Sequence, residues 1–384
     1  MGHHISRSSG SHDTGGYPVH VYTEEPGGRS DCRFGKGVKM KNQAAFLIDK
    51  QRLEIMDCEM PSVSDTDVLV EVAHVGICGS DMHIFEDPHY AVKDIKLPVV
   101  LGHECAGRVA AVGKSVKGII PGDRVALEPG VPCGSCEFCM SGRYNLCPDV
   151  RFLGARPWLN GAFSRYVSHP ARWTFRLPDA MDTVEGALLE PLVVGMHAVD
   201  RANLRTGQSV LILGAGCIGL MTLEACLARG ITNVTMSDLY ENRLDMAGTI
   251  GARHVVNSSE EDIISRSALI TANRGYDVIF ETAGSQKTAA LTADLVKRGG
   301  KIVMVGNVFG ETPFNFFKTN SKEADILGVF RYRNLYPAAI ELCSEGQAEP
   351  KKIVTNYFEF EKIQAAMEYA ITQKQEAVKT VIRM

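Results

Sequence analysis

Between residues 40 and about 178, apolar positions come in short alternating runs: DVLVEVAHVGI, AGRVAAVG, DRVAL and FSRYVSH. Gly and Pro turns close each run, a pattern that predicts half-buried strands and a β-rich domain. The opening MKNQAAFLIDKQRLEIMDCEMP reads as strand, turn and strand. From about Gly207 the period changes. SVLILG leads to a helix, NVTMSDL to ENRLDMAGTIGA, HVVN to EEDIISRSALITAN, and YDVIFETAG to SQKTAALTADLVKRG, with KIVMVG and ADILGVF closing the series. Strands alternating with helices predict a doubly wound parallel sheet, so the fold class is α/β. After Arg331 two amphipathic helices, around YPAAIELCSEG and EKIQAAMEYAITQ, precede a last strand in AVKTVIRM.

The first 39 residues differ from this pattern. MGHHISRSSGSHDTGG and EEPGGRS are rich in Gly, Ser, His and charge and carry no periodicity. They are expected to be a flexible leader, either a cloning remnant or a misplaced start ahead of Met40. Asp13, Glu24, Glu25 and Asp31 argue against an acid-poor mitochondrial presequence. The expected division is leader 1–39, catalytic domain 40–194 with 332–384, and nucleotide domain 195–331.

Composition narrows the function. A chain of 384 residues with 45% hydrophobic and 22% charged residues has room for two domains with cores of their own. A net charge of −4 gives no electrostatic case for nucleic acid or an anionic membrane surface. No run reaches the ~20 apolar residues of a membrane helix, and no signal core opens the chain. A cytoplasmic protein is expected, where clustered cysteines more often bind metal than pair. The 11 cysteines, an odd number, cannot all pair within one chain.

The first strand of the parallel sheet runs into Gly214-Ala-Gly-Cys-Ile-Gly219 and then a helix, and Asp238 ends the next strand. That context turns a weak GxGxxG into a dinucleotide fingerprint. Gly214 permits the turn, Gly216 lets the pyrophosphate approach, and Gly219 lets strand and helix pack, leaving free helix amides for phosphate. Asp238 suits the ribose hydroxyls of NAD and repels the 2′-phosphate of NADP. Arg243, on the following helix, either offsets that repulsion, stacks beside the adenine, or is a plain surface charge.

Cys133, Cys136, Cys139 and Cys147 fall within fifteen residues, CGSCEFCMSGRYNLC. Four thiolates on tight turns suit a closed, structural zinc site that performs no chemistry. Three other segments carry a mixed S, N and O donor set: Cys78, Ser80 and His83 in GICGSDMH, His103 and Glu104 in LGHE, and Glu190 in ALLEPLVVGMHA. Mixed donors are typical of a zinc site that keeps a position open.

GICGSDMH, GHE, the cysteine loop ending GRYNLC and the GAGxIG turn resemble the zinc-dependent medium-chain alcohol dehydrogenases, from Met40 to the C-terminus. ALLEPLVVGMHA and GVFRYRN resemble the sorbitol (polyol) dehydrogenase branch. The resemblance implies a GroES-like catalytic domain beside a Rossmann domain, and two zincs per chain with NAD as cosubstrate. Cys78, His103 and Glu104 would be catalytic zinc ligands, while Glu190 would hold the zinc water or join the ion. Ethanol-type members have cysteine where Glu190 stands. Ser80 would pass the proton, and His83 would be an outer relay or a surface histidine. Ile218, Val305, Gly306, Asn307 and Phe330 would line the cofactor, and Ile84, Phe152, Arg331 and Tyr332 the substrate. Arg331 could instead bridge the domains. Ile84 and Ala155 stand where the branch often has Tyr and Thr, which removes hydroxyls from the pocket.

The implied reaction is oxidation of a secondary hydroxyl of a polyol (sorbitol-, xylitol- or iditol-like) with hydride transfer to NAD. A butanediol- or threonine-type dehydrogenase is the nearest rival, and a non-catalytic zinc-binding protein is the alternative of another class. The resemblance also implies a homotetramer or dimer.

Overall fold

A computed structural model describes residues 41–89, 95–155 and 158–384. The leader expected over 1–39 lies outside them. Lys41–Met384 form one unit in which two sheet systems share the long helix Thr183–Ala202.

In the β-rich part, strand Asp67–Gly76 lies at the centre of a seven-stranded sheet. It pairs antiparallel with Glu104–Val112 on one side and with the terminal strand Lys379–Arg383 on the other. The two registers meet at Gly76, opposite both Glu104 and Val381. Three segments far apart in sequence thus converge at one end of one strand. Leu47, Val68, Val75, Leu101 and Val125 are among the apolar side chains buried beneath.

The other sheet is entirely parallel, in the order His254–Asn257, Val234–Asp238, Val210–Leu213, Tyr276–Glu281, Val296–Met304, Asp325–Gly328. The order reverses between Val210–Leu213 and Tyr276–Glu281, and such a switch point opens a crevice at the carboxyl ends of the strands. Every residue of Val210–Leu213 is buried, the expected consequence of covering both faces.

Helix Thr183–Ala202 opens with a reciprocal cap: Asp182 accepts from the Val184 and Glu185 amides, and Glu185 accepts from the Asp182 amide. It runs unbroken through the expected 194/195 division. Periodicity did not reveal helix Gly79–Glu86 or strand Val354–Glu359. The helix is held by a polar device, because Asp81 accepts from the Cys78 amide. Among the described residues, no helix is long and apolar enough to cross a membrane.

Candidate active site

Cys78 caps helix Gly79–Glu86 where the chain leaves the central strand, and Glu104 begins the neighbouring strand with His103 just before it. One donor atom from each of Cys78, His103 and Glu104 lies within 4.8 Å of the other two. Gly76 makes this possible, since a β-carbon there would stand 2.0 Å from the Glu104 carboxylate. Sulfur, imidazole and carboxylate at this spacing suit zinc, and the outer surroundings agree. Buried Asp81 accepts from the Cys78 and Gly102 amides, so it braces both flanking turns, and it sits 3.5 Å from His103 Nδ1, a charge contact rather than a hydrogen bond. Burial lowers the His103 pKa, but Asp81 and Cys78 outweigh it and hold the ring well above its ordinary value.

Sequence reasoning missed Lys379. Its Nζ donates to both Glu104 oxygens at 2.8 and 2.7 Å and to the Ile77 carbonyl at 3.0 Å, and the ion pair is fully buried. Burial disfavours its charge, but Cys217, Glu104 and Cys78 together raise its pKa. With a dication bound, one thiolate and one carboxylate would balance its charge; Lys379 adds one positive charge, which an ionised Glu190 would offset.

Glu190 stands on the long helix and outside the three-donor group. Its Oε1 accepts from the Tyr332 hydroxyl at 2.9 Å. Burial pushes its carboxyl up to about 7, reinforced by Glu104 and opposed by His103, Tyr332 and Lys379. Phe152 meets the His103 ring edge-on, centroids 5.5 Å apart, and the Arg331 guanidinium lies over the Phe152 ring, 4.4 Å from its centroid. Arg331 Nη1 is buried with no hydrogen-bond partner, so a polar donor is left over beside the site. Tyr332, expected to reach substrate, is buried with its hydroxyl given to Glu190. Ile84 packs into the β-rich core. Ser80 is half-buried in the first helical turn, and exposed His83 meets Phe309 edge-on.

Glu128 was also missed by sequence reasoning. This buried carboxylate accepts from the Tyr144 hydroxyl at 2.7 Å, and burial raises its pKa to about 7. Glu128, Tyr144, Asn145, Phe152, Arg331 and Tyr332 line a pocket of about 10 Å³, room for one water.

The four cysteines gather in a separate lobe. Sγ atoms of Cys133 and Cys139 are 3.9 Å apart, and those of Cys136 and Cys139 are 3.4 Å apart. Zinc–sulfur bonds of about 2.3 Å in a tetrahedron imply sulfur–sulfur edges of about 3.8 Å, so the thiols fit the ion. The Cys136 amide donates to Cys133 and the Cys133 amide to Cys147. Amide donors from Ser135 and Cys136 pull the Cys133 thiol down to about 6.

At the switch point, Gly214 has φ +102°, and a β-carbon on Gly219 would lie 1.9 Å from the Gly214 carbonyl oxygen. Gly216 caps helix Cys217–Ala228, which Ile218 enters. Asp238 accepts from the Ala215 amide at 2.6 Å, tying the end of its strand to the glycine turn. Arg243 donates to the carbonyls of Lys374 and Ala377, and its Nη1 approaches the Gly216 β-carbon position to 3.7 Å. It is therefore anchored at the glycine turn. Val305, Gly306 and Asn307 follow strand Val296–Met304, with Gly306 packed on Gly284; Phe330 is exposed.

A β-rich part carrying a three-donor centre and a thiolate lobe, joined to a dinucleotide-type sheet, defines a zinc-binding dehydrogenase. Residues 64–179 match the alcohol dehydrogenase GroES-like domain, and 217–345 the zinc-binding dehydrogenase family. The chain is 47% identical to a zinc-type alcohol dehydrogenase-like protein of Escherichia coli K12, covering 90% of this chain and 99% of that one. It is 41% identical to the sorbitol dehydrogenase of Bacillus subtilis, covering 90% and 98%. An E. coli oxidoreductase/dehydrogenase of unknown specificity superposes with TM-score 0.87 at 46% identity over 90% and 99%. A Sinorhizobium meliloti zinc-binding dehydrogenase solved with NADP aligns with TM-score 0.82 at 28% identity over 90% and 100%. An E. coli CFT073 alcohol dehydrogenase solved with NADH aligns with TM-score 0.83 at 27% identity over 90% and 99%. The chain belongs to the zinc-dependent medium-chain alcohol dehydrogenase family, in its sorbitol dehydrogenase branch. It is an oxidoreductase of the alcohol and polyol dehydrogenase kind.

Proposed function

We propose that this enzyme oxidises a secondary hydroxyl of a polyol to a ketone and passes the hydride to NAD. The observation that carries this reading is the pair of polar groups near the three donors: buried Glu190, bonded to Tyr332, and the unpaired Nη1 of Arg331, which lies over the Phe152 ring that meets His103. Cys78, His103 and Glu104 would hold a catalytic zinc and the four-cysteine lobe a structural one. When bound, the catalytic ion supplies Lewis acidity at the alcohol oxygen. Glu190, poised near neutrality and steadied by Tyr332, takes up and releases the proton, with Ser80 as the exposed-side alternative. Arg331 offers guanidinium donors to a further hydroxyl, and Phe152 excludes water beside His103.

Asp238 supports NAD over NADP, since its carboxylate ends the strand next to the glycine turn, where it would accept from the adenosine ribose hydroxyls and repel a 2′-phosphate. The two sheet systems support a domain division of 40–194 with 332–384 against 195–331, with helix Thr183–Ala202 spanning the 194/195 boundary. Clustered thiols that must stay reduced support a cytoplasmic location. The exposed strand Asp325–Gly328 at the end of the parallel sheet supports a homo-oligomer, dimer or tetramer.

A second reading, a butanediol-like secondary alcohol, draws support from Tyr332, whose hydroxyl is already committed to Glu190. One screen separates the two: NAD and NADP reduction by the zinc-loaded enzyme over sorbitol, xylitol, iditol, butanediol and threonine. The polyol reading expects the highest kcat/KM among the first three. A maximum at butanediol overturns it in favour of the second, and no alcohol turnover overturns both.

A further inference from the structure

The turn Tyr144–Leu146 lies inside the cysteine lobe, between Cys139 and Cys147. It does more than close that loop. Asn145 Nδ2 donates to the Phe330 carbonyl at 2.9 Å, and its Oδ1 accepts from Arg333 Nη1 at 3.3 Å. The Tyr144 hydroxyl accepts from the Asn334 amide at 2.6 Å while donating to Glu128 at 2.7 Å. Asn334 Nδ2 donates to the Gly142 carbonyl at 3.2 Å. The lobe thereby grips both ends of residues 330–334, the segment that presents Arg331 and Tyr332 to the site.

That segment needs an external grip. Arg331 and Asn334 have φ of +52° and +56°, in the left-handed region. Asn tolerates that region but Arg does not readily adopt it, so Arg331 persists there only where its surroundings over-determine it. The grip is itself rigid, since Tyr144 and Asn145 are buried and the Tyr144 ring packs on Trp173 at 4.8 Å. Beyond the segment, the Tyr332 hydroxyl passes the register on to Glu190.

We propose that Tyr144 and Asn145 are positioning residues through which the four-cysteine lobe sets the placement of Arg331, Tyr332 and Glu190. The lobe then acts on alcohol binding as well as on folding, although none of its cysteines touches substrate. Loss of its metal would be felt in the substrate pocket before it is felt in the nucleotide fold.

Hydrogen–deuterium exchange on the zinc-loaded full chain tests this, comparing wild type with Tyr144→Phe and Asn145→Ala. Peptides covering 328–336 should exchange about 10-fold faster, the scale of losing one hydrogen bond from a local opening. Peptides over 210–213 and 276–281 should keep their rates, and metal analysis should find both zincs retained. Cys136→Ser should accelerate the same 328–336 peptides. In steady state, KM for the alcohol should rise while KM for NAD stays put. This kinetic arm rests on the reading given under Proposed function. The exchange arm does not, so a wrong substrate leaves it intact. Unchanged exchange over 328–336 overturns the proposal. So does acceleration spread evenly over the chain in both variants, because the lobe would then serve only the overall stability of the fold.

Discussion

Glu190 and Glu128 are two buried carboxylates with opposite degrees of visibility. Glu190 follows an apolar run and precedes Pro191, where an isolated charge would be costly, so the chain itself marks it as unusual. Glu190→Gln should melt like wild type and bind NADH normally while turnover falls roughly 10²-fold, the scale of a lost proton-handling group. Wild-type turnover in a folded variant would reduce Glu190 to a structural residue. Nothing in the sequence marks Glu128, because its burial depends on Tyr144 arriving from the cysteine lobe. Its folded pKa of about 7 lies above the ordinary 4.5. The unfolded chain therefore loses this proton first, and stability falls as pH rises from 4.5 towards 7. Relative to wild type, Glu128→Gln should gain stability over that window by up to about 3 kcal/mol, then level off. Urea melts at stepped pH read this directly, and a constant difference across the window would remove the titration from Glu128.

At the scale of elements, the cysteine lobe was legible and its partner was not. Local spacing brings four thiols to one point, and sulfur–sulfur distances of 3.4 and 3.9 Å suit a tetrahedral ion. Cys136→Ser should lower the melting temperature and remove one zinc of the two, because a closed four-ligand site contributes folding energy. An unchanged zinc content in the folded variant would end the structural assignment. The helix Gly79–Glu86 escaped the periodicity reading for a physical reason. Its start is set by Asp81 accepting from the Cys78 amide, and Ile84 and Phe85 are its buried apolar residues. The same carboxylate braces the Gly102 amide beside His103, so one side chain sets both the helix start and the turn before the neighbouring strand.

For the whole molecule, the order of the parallel sheet places Asp238 beside the glycine turn, where the proposed preference for NAD would be set. Asp238→Ala should weaken NAD and narrow the gap to NADP, since the repulsive carboxylate is gone; Asp238→Asn, which keeps an acceptor for the Ala215 amide, separates charge from loop support. Equal wild-type efficiency with both cofactors would count against this role. Lys379 reaches across 275 positions to the Glu104 it neutralises. Lys379→Met leaves a buried unpaired carboxylate and should destabilise the metal-free protein by about 3–5 kcal/mol in urea melts; an unaltered midpoint would show that the pair contributes nothing. What the sequence determined by itself was whatever local periodicity and short spacing encode: the α/β class, the glycine turn, the thiolate lobe and the donor residues. Only the tertiary structure decided which charges meet. Lys379 reaches Glu104, Tyr332 turns from substrate to Glu190, and the lobe grips residues 330–334 because strand pairing and helix packing join segments 142 to 275 residues apart. Hydrogen bonds and buried charge act over a few ångströms of space, and distance along the chain says nothing of that.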